Sequence, residues 1–182
     1  NVTQIGALAV TGATTVNAGG NDIILNNTGN DFSGPVNLTG NNVTLRDTND
    51  LTLGAITAPG SLTLTAGGTI TTNDAISTAL FDLKAGDWVQ INATLPTFSA
   101  TDFRISGGSF LRALGGDGNS GSPYQISDIY GLQGAGSSGM LAKSYTLANN
   151  IVIKEALTIG SGNDLTLNGV ISGAGTLTQD IC

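Results

Sequence analysis

Arg46, Asp47 and Asp50 stand close together in the sequence. A guanidinium beside two carboxylates is the kind of group that polysaccharide lyases and hydrolases gather on one outer face of a β-structure, where one carboxylate takes a proton and the other gives one. The same residues serve equally as solvated caps of a turn, a role Asp fills through its short acceptor side chain. Histidine is absent, which removes the commonest general base and metal ligand. The single cysteine, Cys182, excludes an intramolecular disulfide, thiol catalysis paired with histidine, and cysteine-rich zinc sites. It is either an exposed thiol at a chain boundary or an intermolecular tether.

A second candidate chemistry is calcium. "GGNDIIL" (19–25), "TGNDFSG" (28–34) and "SGNDLTL" (161–167) each resemble half of the nonapeptide calcium repeat. That repeat needs tandem copies so that adjacent turns share the ion. Asp22 and Asp31 have the spacing but lack the glycines between them, and Asp164 stands alone. Gly-Asn-Asp read as a turn before a strand accounts for all three. Asn-x-Thr glycosylation sequons begin at Asn1, Asn26, Asn37, Asn42 and Asn92, a number that the abundance of Asn, Ser and Thr produces by chance. Trp88 is placed to cap a corner or stack on a sugar ring; Tyr124 and Tyr130 lie in an irregular stretch, and packing is the expected role of all three. No residue is therefore nominated as catalytic, cofactor-binding or metal-ligating, and the chain is expected not to be an enzyme.

The elements that carry these residues follow from composition and spacing. Glycine supplies 27 of 182 residues and charged residues only 10%. Few Glu, Lys and Arg remain to clothe the wet face of a helix, whereas Thr, Ser and Asn suit the outer face of a β-structure. The net charge is −7, and the six basic residues are dispersed. No basic stripe exists to meet phosphates, so neither nucleic acid nor an anionic membrane is an expected partner. No apolar run reaches the ~20 residues of a membrane-spanning helix, and no secretory leader opens the chain.

"SLTLTAGGTITT" (61–72) alternates, turns at two glycines, and alternates again. Stepping along the chain by 19 residues stacks apolar positions into columns. Ile24, Val43, Leu62 and Phe81 form one, and Leu45, Leu64 and Leu83 its neighbour. Phe32, Leu51, Ile70 and Val89 form another, with Leu53, Thr72 and Ile91 beside it; Asn49, Gly68 and Asp87 form a turn column. A repeat of this length, made of short strands and glycine corners, is one coil of a parallel β-helix, an all-β solenoid with coils of about 19–22 residues. Periodicity leaves its hand open, and the preference of parallel crossovers selects a right-handed coil. Alternation points Leu62 and Leu64 into the lumen and Thr63 and Thr65 out. An outer column running Thr44, Thr63, Asp82 and another running Arg46, Thr65, Lys84 are too mixed for the flat threonine array of an ice-binding face. Leucine-rich repeats are set aside for want of a helical segment and an asparagine ladder.

The step lengthens to 22 between Phe81 and Phe103, across "ATLPTFSAT", where Pro96 suits a corner and not a central strand. Residues 1–114 are read as β-helix coils. Residues 115–139 are read as a Gly- and Ser-rich loop excursion around one short segment, 124–130, and as the first place to look for binding. Residues 140–182 are read as further coils, making about nine in one continuous solenoid.

The stretch 97–134, "TFSATDFRISGGSFLRALGGDGNSGSPYQISDIYGLQG", resembles a recurring block of filamentous-haemagglutinin-type exoproteins of two-partner secretion and related autotransporters. "LTLTAGGTITTNDAISTALFDLKAG" (62–86) is similar to their haemagglutinin repeats, and "LTIGSGNDLTLNGVISGAGTLTQ" (157–179) to autotransporter passenger repeats. The resemblance implies a right-handed β-helix exposed outside a bacterium, serving adhesion, biofilm formation or display of an effector. Lacking a secretion domain and a membrane barrel, the chain is expected to be a passenger segment or a short relative.

The leading expectation is thus a structural and adhesive rod, secreted or on the bacterial cell surface. Its partners would be glycans or proteins of host or neighbouring cells, with self-association through the end coils where strand edges lie open. The other expectation is a carbohydrate-binding or carbohydrate-active β-helix, with Asp47 and Asp50 as the residues to test.

Overall fold

A computed structural model of the chain describes residues 1–153, 171–172 and 177–179. The first coil holds β1 (Val2–Thr3), β2 (Ala9–Val10) and β3 (Thr14–Asn17). The second holds β4 (Ile23–Leu25), β5 (Asp31–Phe32) and β6 (Val36–Thr39), and the third β7 (Asn42–Arg46) and β8 (Leu51–Thr57). In the next two, the strands run on through the corners as β9 (Ser61–Thr72) and β10 (Ile76–Ile91). β11 (Phe98–Ile105) and β12 (Ser109–Ala113) follow. All pair in parallel with the coil before or after, giving a β-solenoid of about seven turns among the described residues; part of the 140–182 stretch read as further coils lies outside them.

The stacked columns are real. Val43, Leu62, Phe81 and Phe103 lie one over the next, as do Leu45, Leu64, Leu83 and Ile105. Each strand alternates: Leu62, Leu64 and Ala66 of β9 are buried and the threonines between them half-exposed. Each fully buried Leu contributes roughly 1.5–3 kcal/mol through area removed from water. The coils are held laterally by ladder hydrogen bonds, so no coil buries its apolar side alone.

Several columns shift by one residue. Ile23, not Ile24, stands under Val43, because the step between coils two and three is 20. In β10 the ladder breaks register at Ala85, and the corner at Gly86 is one residue shorter than the corner at Gly67 and Gly68 below it. A one-residue change flips every later side chain to the opposite face. Hence Trp88 stands over Ile70 in the lumen, Asp87 pairs with Thr69, Gln90 turns inward, and Ile91 is 44% exposed. The same bulge sets Ala85, not Lys84, over Thr65, while Thr44, Thr63 and Asp82 stack as expected. The 22-residue step from β10 to β11 also stands.

Residues 115–139 depart from the loop reading. Residues 117 and 119–122 are exposed, but strand β13 (Tyr124–Ile126) and a short helix, α1 (Ile129–Gly134), follow. Asp128 opens the helix, its carboxylate accepting from the Gly131 N–H at 2.8 Å; such a cap contributes about 1 kcal/mol. Beyond it, β14 (Tyr145–Leu147) pairs with β13 and with β16 (Ile171–Ser172), and β15 (Ile151–Ile153) pairs with β17 (Leu177–Gln179). Among the described residues the buried core falls into two clusters. One runs from Ile23 to Phe110; the other joins Leu111, Tyr124, Ile126, Leu132, Met140, Tyr145 and Ile151.

Candidate functional site

Asp47 and Asp50 do not converge on a shared outer patch. Asp47 is 1% exposed. Its Oδ2 accepts from the Phe32 N–H at 3.0 Å and its Oδ1 from the Asn49 N–H at 3.1 Å. The sequence reading placed it as a solvated turn residue; it caps a turn, but from inside, tying the third coil to the second. Asp50 is exposed and reaches the other way, accepting from the Thr69 N–H of the next coil at 2.7 Å. Arg46 is half-buried beside Thr65. The carboxylates brace successive backbones, and Asp47 is closed off from any substrate outside.

The Asp22 and Asp31 side chains also serve between coils. Asp22 Oδ1 accepts from the Asn42 backbone N–H at 3.2 Å and from its Nδ2 at 2.8 Å. Asn1 Oδ1 accepts from the Asp22 N–H, and Asn42 Oδ1 accepts from the Ser61 hydroxyl at 3.0 Å. Asn1, Asp22, Asn42 and Ser61 are thus a side-chain ladder, one rung per coil. No asparagine ladder is legible in the sequence, because the rungs of this one change residue type. Asp31 belongs to a separate column, where its Oδ1 accepts from Asn49 Nδ2. Asp164 and Cys182 lie outside the described residues.

The ladder also sorts the sequons. Asn42 Nδ2 is bound to Asp22, and Asn37 Nδ2 donates to the Thr14 carbonyl while its Oδ1 accepts from the Ala55 N–H. Asn26 and Asn92 are exposed, and Asn92 Oδ1 closes a local turn with the Thr94 N–H.

None of the aromatic residues is exposed. Trp88 is 0% exposed, packed in the core as expected and neither a corner cap nor a sugar platform. It stacks on Phe110 and meets Phe81 and Phe98 edge-on. Tyr130 packs on Phe98 and Phe103, and Tyr124 faces Tyr145. Burial, then the neighbouring Tyr124, push the Tyr145 hydroxyl up to about 12; it donates to the Met140 carbonyl at 2.7 Å.

The most elaborate polar cluster centres on Arg112, a residue to which the sequence assigns no role. Arg112, 4% exposed, donates from Nε to Asp128 Oδ2 at 2.6 Å, from Nη1 to Gln90 Oε1, and from Nη2 to the Pro96 carbonyl at 2.8 Å. Its guanidinium lies 5.6 Å from the centre of the Phe98 ring. All three nitrogens are spent on protein groups, so the cluster joins β10, the 92–97 corner, β12 and α1. Its sequence signal was Gln90 and Arg112 standing one coil apart, legible only after the β10 corner is known to be short. On the outside, Arg104 pairs with Asp102, whose hydrogen bond and charge raise the guanidinium above its ordinary value.

These features define a β-solenoid repeat protein whose polar side chains chiefly join one coil to the next. The chain belongs to the family described as repeats of unknown function (DUF5649), which matches residues 1–39 and 40–102. No curated protein and no solved structure matches it.

Proposed function

We propose that this chain is a structural and adhesive segment of a bacterial secreted surface protein, a β-solenoid rod that spaces or presents binding surfaces. The observation that carries the reading is the fate of its best candidate catalytic residue. Asp47 is sunk in the coil stack and bonded to two backbone N–H groups. The polar outer faces, built from Thr, Asn and Asp on a rigid ladder, are what remain to meet a partner. The resemblance of residues 62–86 and 97–134 to haemagglutinin-type passengers supports an extracellular place and glycan or protein partners on host or neighbouring cells. The carbohydrate-active alternative rests on Asp47 and Asp50, of which Asp47 is internal, as is Trp88, and Asp50 alone stays at the surface.

The test is a binding screen of the purified chain against immobilised surface glycans and cell-surface proteins, run with a turnover assay on the same glycans. The expected result is saturable binding without product release. Release of sugar products that stops in Asp47→Ala or Asp50→Ala would overturn the proposal.

A further inference from the structure

The chain has three arginines, Arg46, Arg104 and Arg112. Arg104 pairs with Asp102 and Arg112 with Asp128. Arg46 pairs with no carboxylate among the described residues, and its Nε–H is buried without an acceptor. A buried donor left unmet is costly and calls for an explanation. The carboxylates that share its face of the sheet are already answered from within the protein. Asp22 accepts from Asn42, and Asp82 from Lys84 and from the Ser106 hydroxyl, each of these last two at 2.6 Å. Around Arg46 the face is flat and mixed. Thr44 precedes it by two residues on β7, and Thr63 and Thr65 of β9 stand beside Thr44 and Arg46 in register. Ile24 of β4 stands on the other side of Thr44. All five side chains are half-buried and point out of the solenoid. Beyond Thr65 the column continues with the short side chain of Ala85. Positions on such a face lie about 4.8 Å apart across strands and about 6.6 Å apart along one.

We propose that Arg46 is the anion-binding group of a glycan site on this face, and that it takes the carboxylate of an acidic sugar. A guanidinium fork matches a carboxylate with two parallel hydrogen bonds, which no other side chain offers. The Thr44, Thr63 and Thr65 hydroxyls both donate and accept, as sugar hydroxyls do, and Ile24 offers an apolar surface to the C–H face of a ring. The patch carries one unanswered cation on a chain of net charge −7. It therefore suits a sugar with a single carboxylate, since a polyanion would meet the repulsion of the whole molecule. This names the partner within the adhesive reading of the chain and rests on it.

The test measures binding of the full chain to two immobilised acidic probes, sialyllactose and an oligosaccharide ending in one glucuronate. Lactose and the methyl ester of the second probe are their neutral counterparts. At least one acidic probe is expected to bind about tenfold or more tighter than its counterpart, and less tightly as salt rises. Arg46→Ala is expected to remove that preference, and Arg46→Lys, which keeps the charge without the fork, to restore only part of it. Arg104→Gln, whose arginine is already paired, is expected to leave it unchanged. Circular dichroism and Trp88 emission report folding. Acidic and neutral probes bound alike, or a preference that survives in folded Arg46→Ala, overturns the proposal. If neutral glycans or cell-surface proteins bind while both acidic probes fail, the site is wrong and the adhesive reading stands; if nothing binds, both fall. Should Arg46→Ala not fold, the Arg46 Nε–H resonance of the unaltered chain decides. A saturable shift on titration with sialyllactose or the glucuronate probe supports the site, and a resonance that does not move with either overturns it.

Discussion

Trp88 lies flat against Phe110, their ring centroids 5.3 Å apart and their planes 11° from parallel. A second stack, Phe81 on Phe103, runs beside it at 5.3 Å, and Phe98 meets all four rings edge-on. The widened coils thus concentrate aromatic contact beneath α1. Aromatic pairs contribute about 0.5–1.5 kcal/mol each beyond their buried area. Phe110→Ala is expected to cost about 3–5 kcal/mol and to shift the emission of Trp88, the sole tryptophan, to the red. Urea unfolding followed by fluorescence measures both. An unchanged midpoint would contradict the stacked lumen.

Leu64 sits between Leu45 and Leu83, and Thr63 next to it points outward. Leu64→Ala should destabilise by about 2–5 kcal/mol, whereas Thr63→Ala should stay within about 0.5 kcal/mol. Equal costs in chemical denaturation would mean that the alternation does not separate lumen from surface.

Asp47 and Asp50 separate in the same way. Asp47→Ala strands the Phe32 N–H inside the stack, at a cost of about 1–3 kcal/mol. Asp50→Ala, at the surface, should cost about 0.5 kcal/mol or less. Thermal melts of the two variants distinguish this coil-bracing pair from a pair of interchangeable surface carboxylates.

Tyr145 titrates high because burial disfavours its ionised form. The folded state holds the proton up to about 12, while the unfolded chain releases it near tyrosine's ordinary value of 10.0. Its contribution to stability is therefore complete below pH 10 and is lost as pH climbs from there to about 12. Tyr145→Phe should flatten that decline. Absorbance of tyrosinate at alkaline pH, with unfolding curves at matched pH values, provides the check.

What could be read from residues alone was the coil. Leu62-Thr63-Leu64-Thr65 states inside and outside residue by residue, because side chains alternate with a period of two whatever lies nearby. Columns 19 apart then imply stacking, and the lengthened step at Phe103 was equally plain. The repeat itself, with no histidine and one cysteine, left chemistry unsupported.

Corners and contacts across layers were settled only by the assembled molecule. Glycine marks a corner, but the length of that corner depends on the coil beneath it. One residue fewer at Gly86 sent Trp88, Gln90 and Ile91 to faces opposite those that steady counting assigned. The ladder from Asn1 to Ser61 escaped notice because its hydrogen bonds, not its residue types, repeat. Helix α1 was equally hidden: "SDIYGLQGAG" is short, rich in glycine and poor in helix formers. It forms because Asp128 caps it, Arg112 holds Asp128, and its two glycines admit it against the β12 carbonyls. Those conditions are met by residues brought together from separate coils, so no local stretch of sequence contains them.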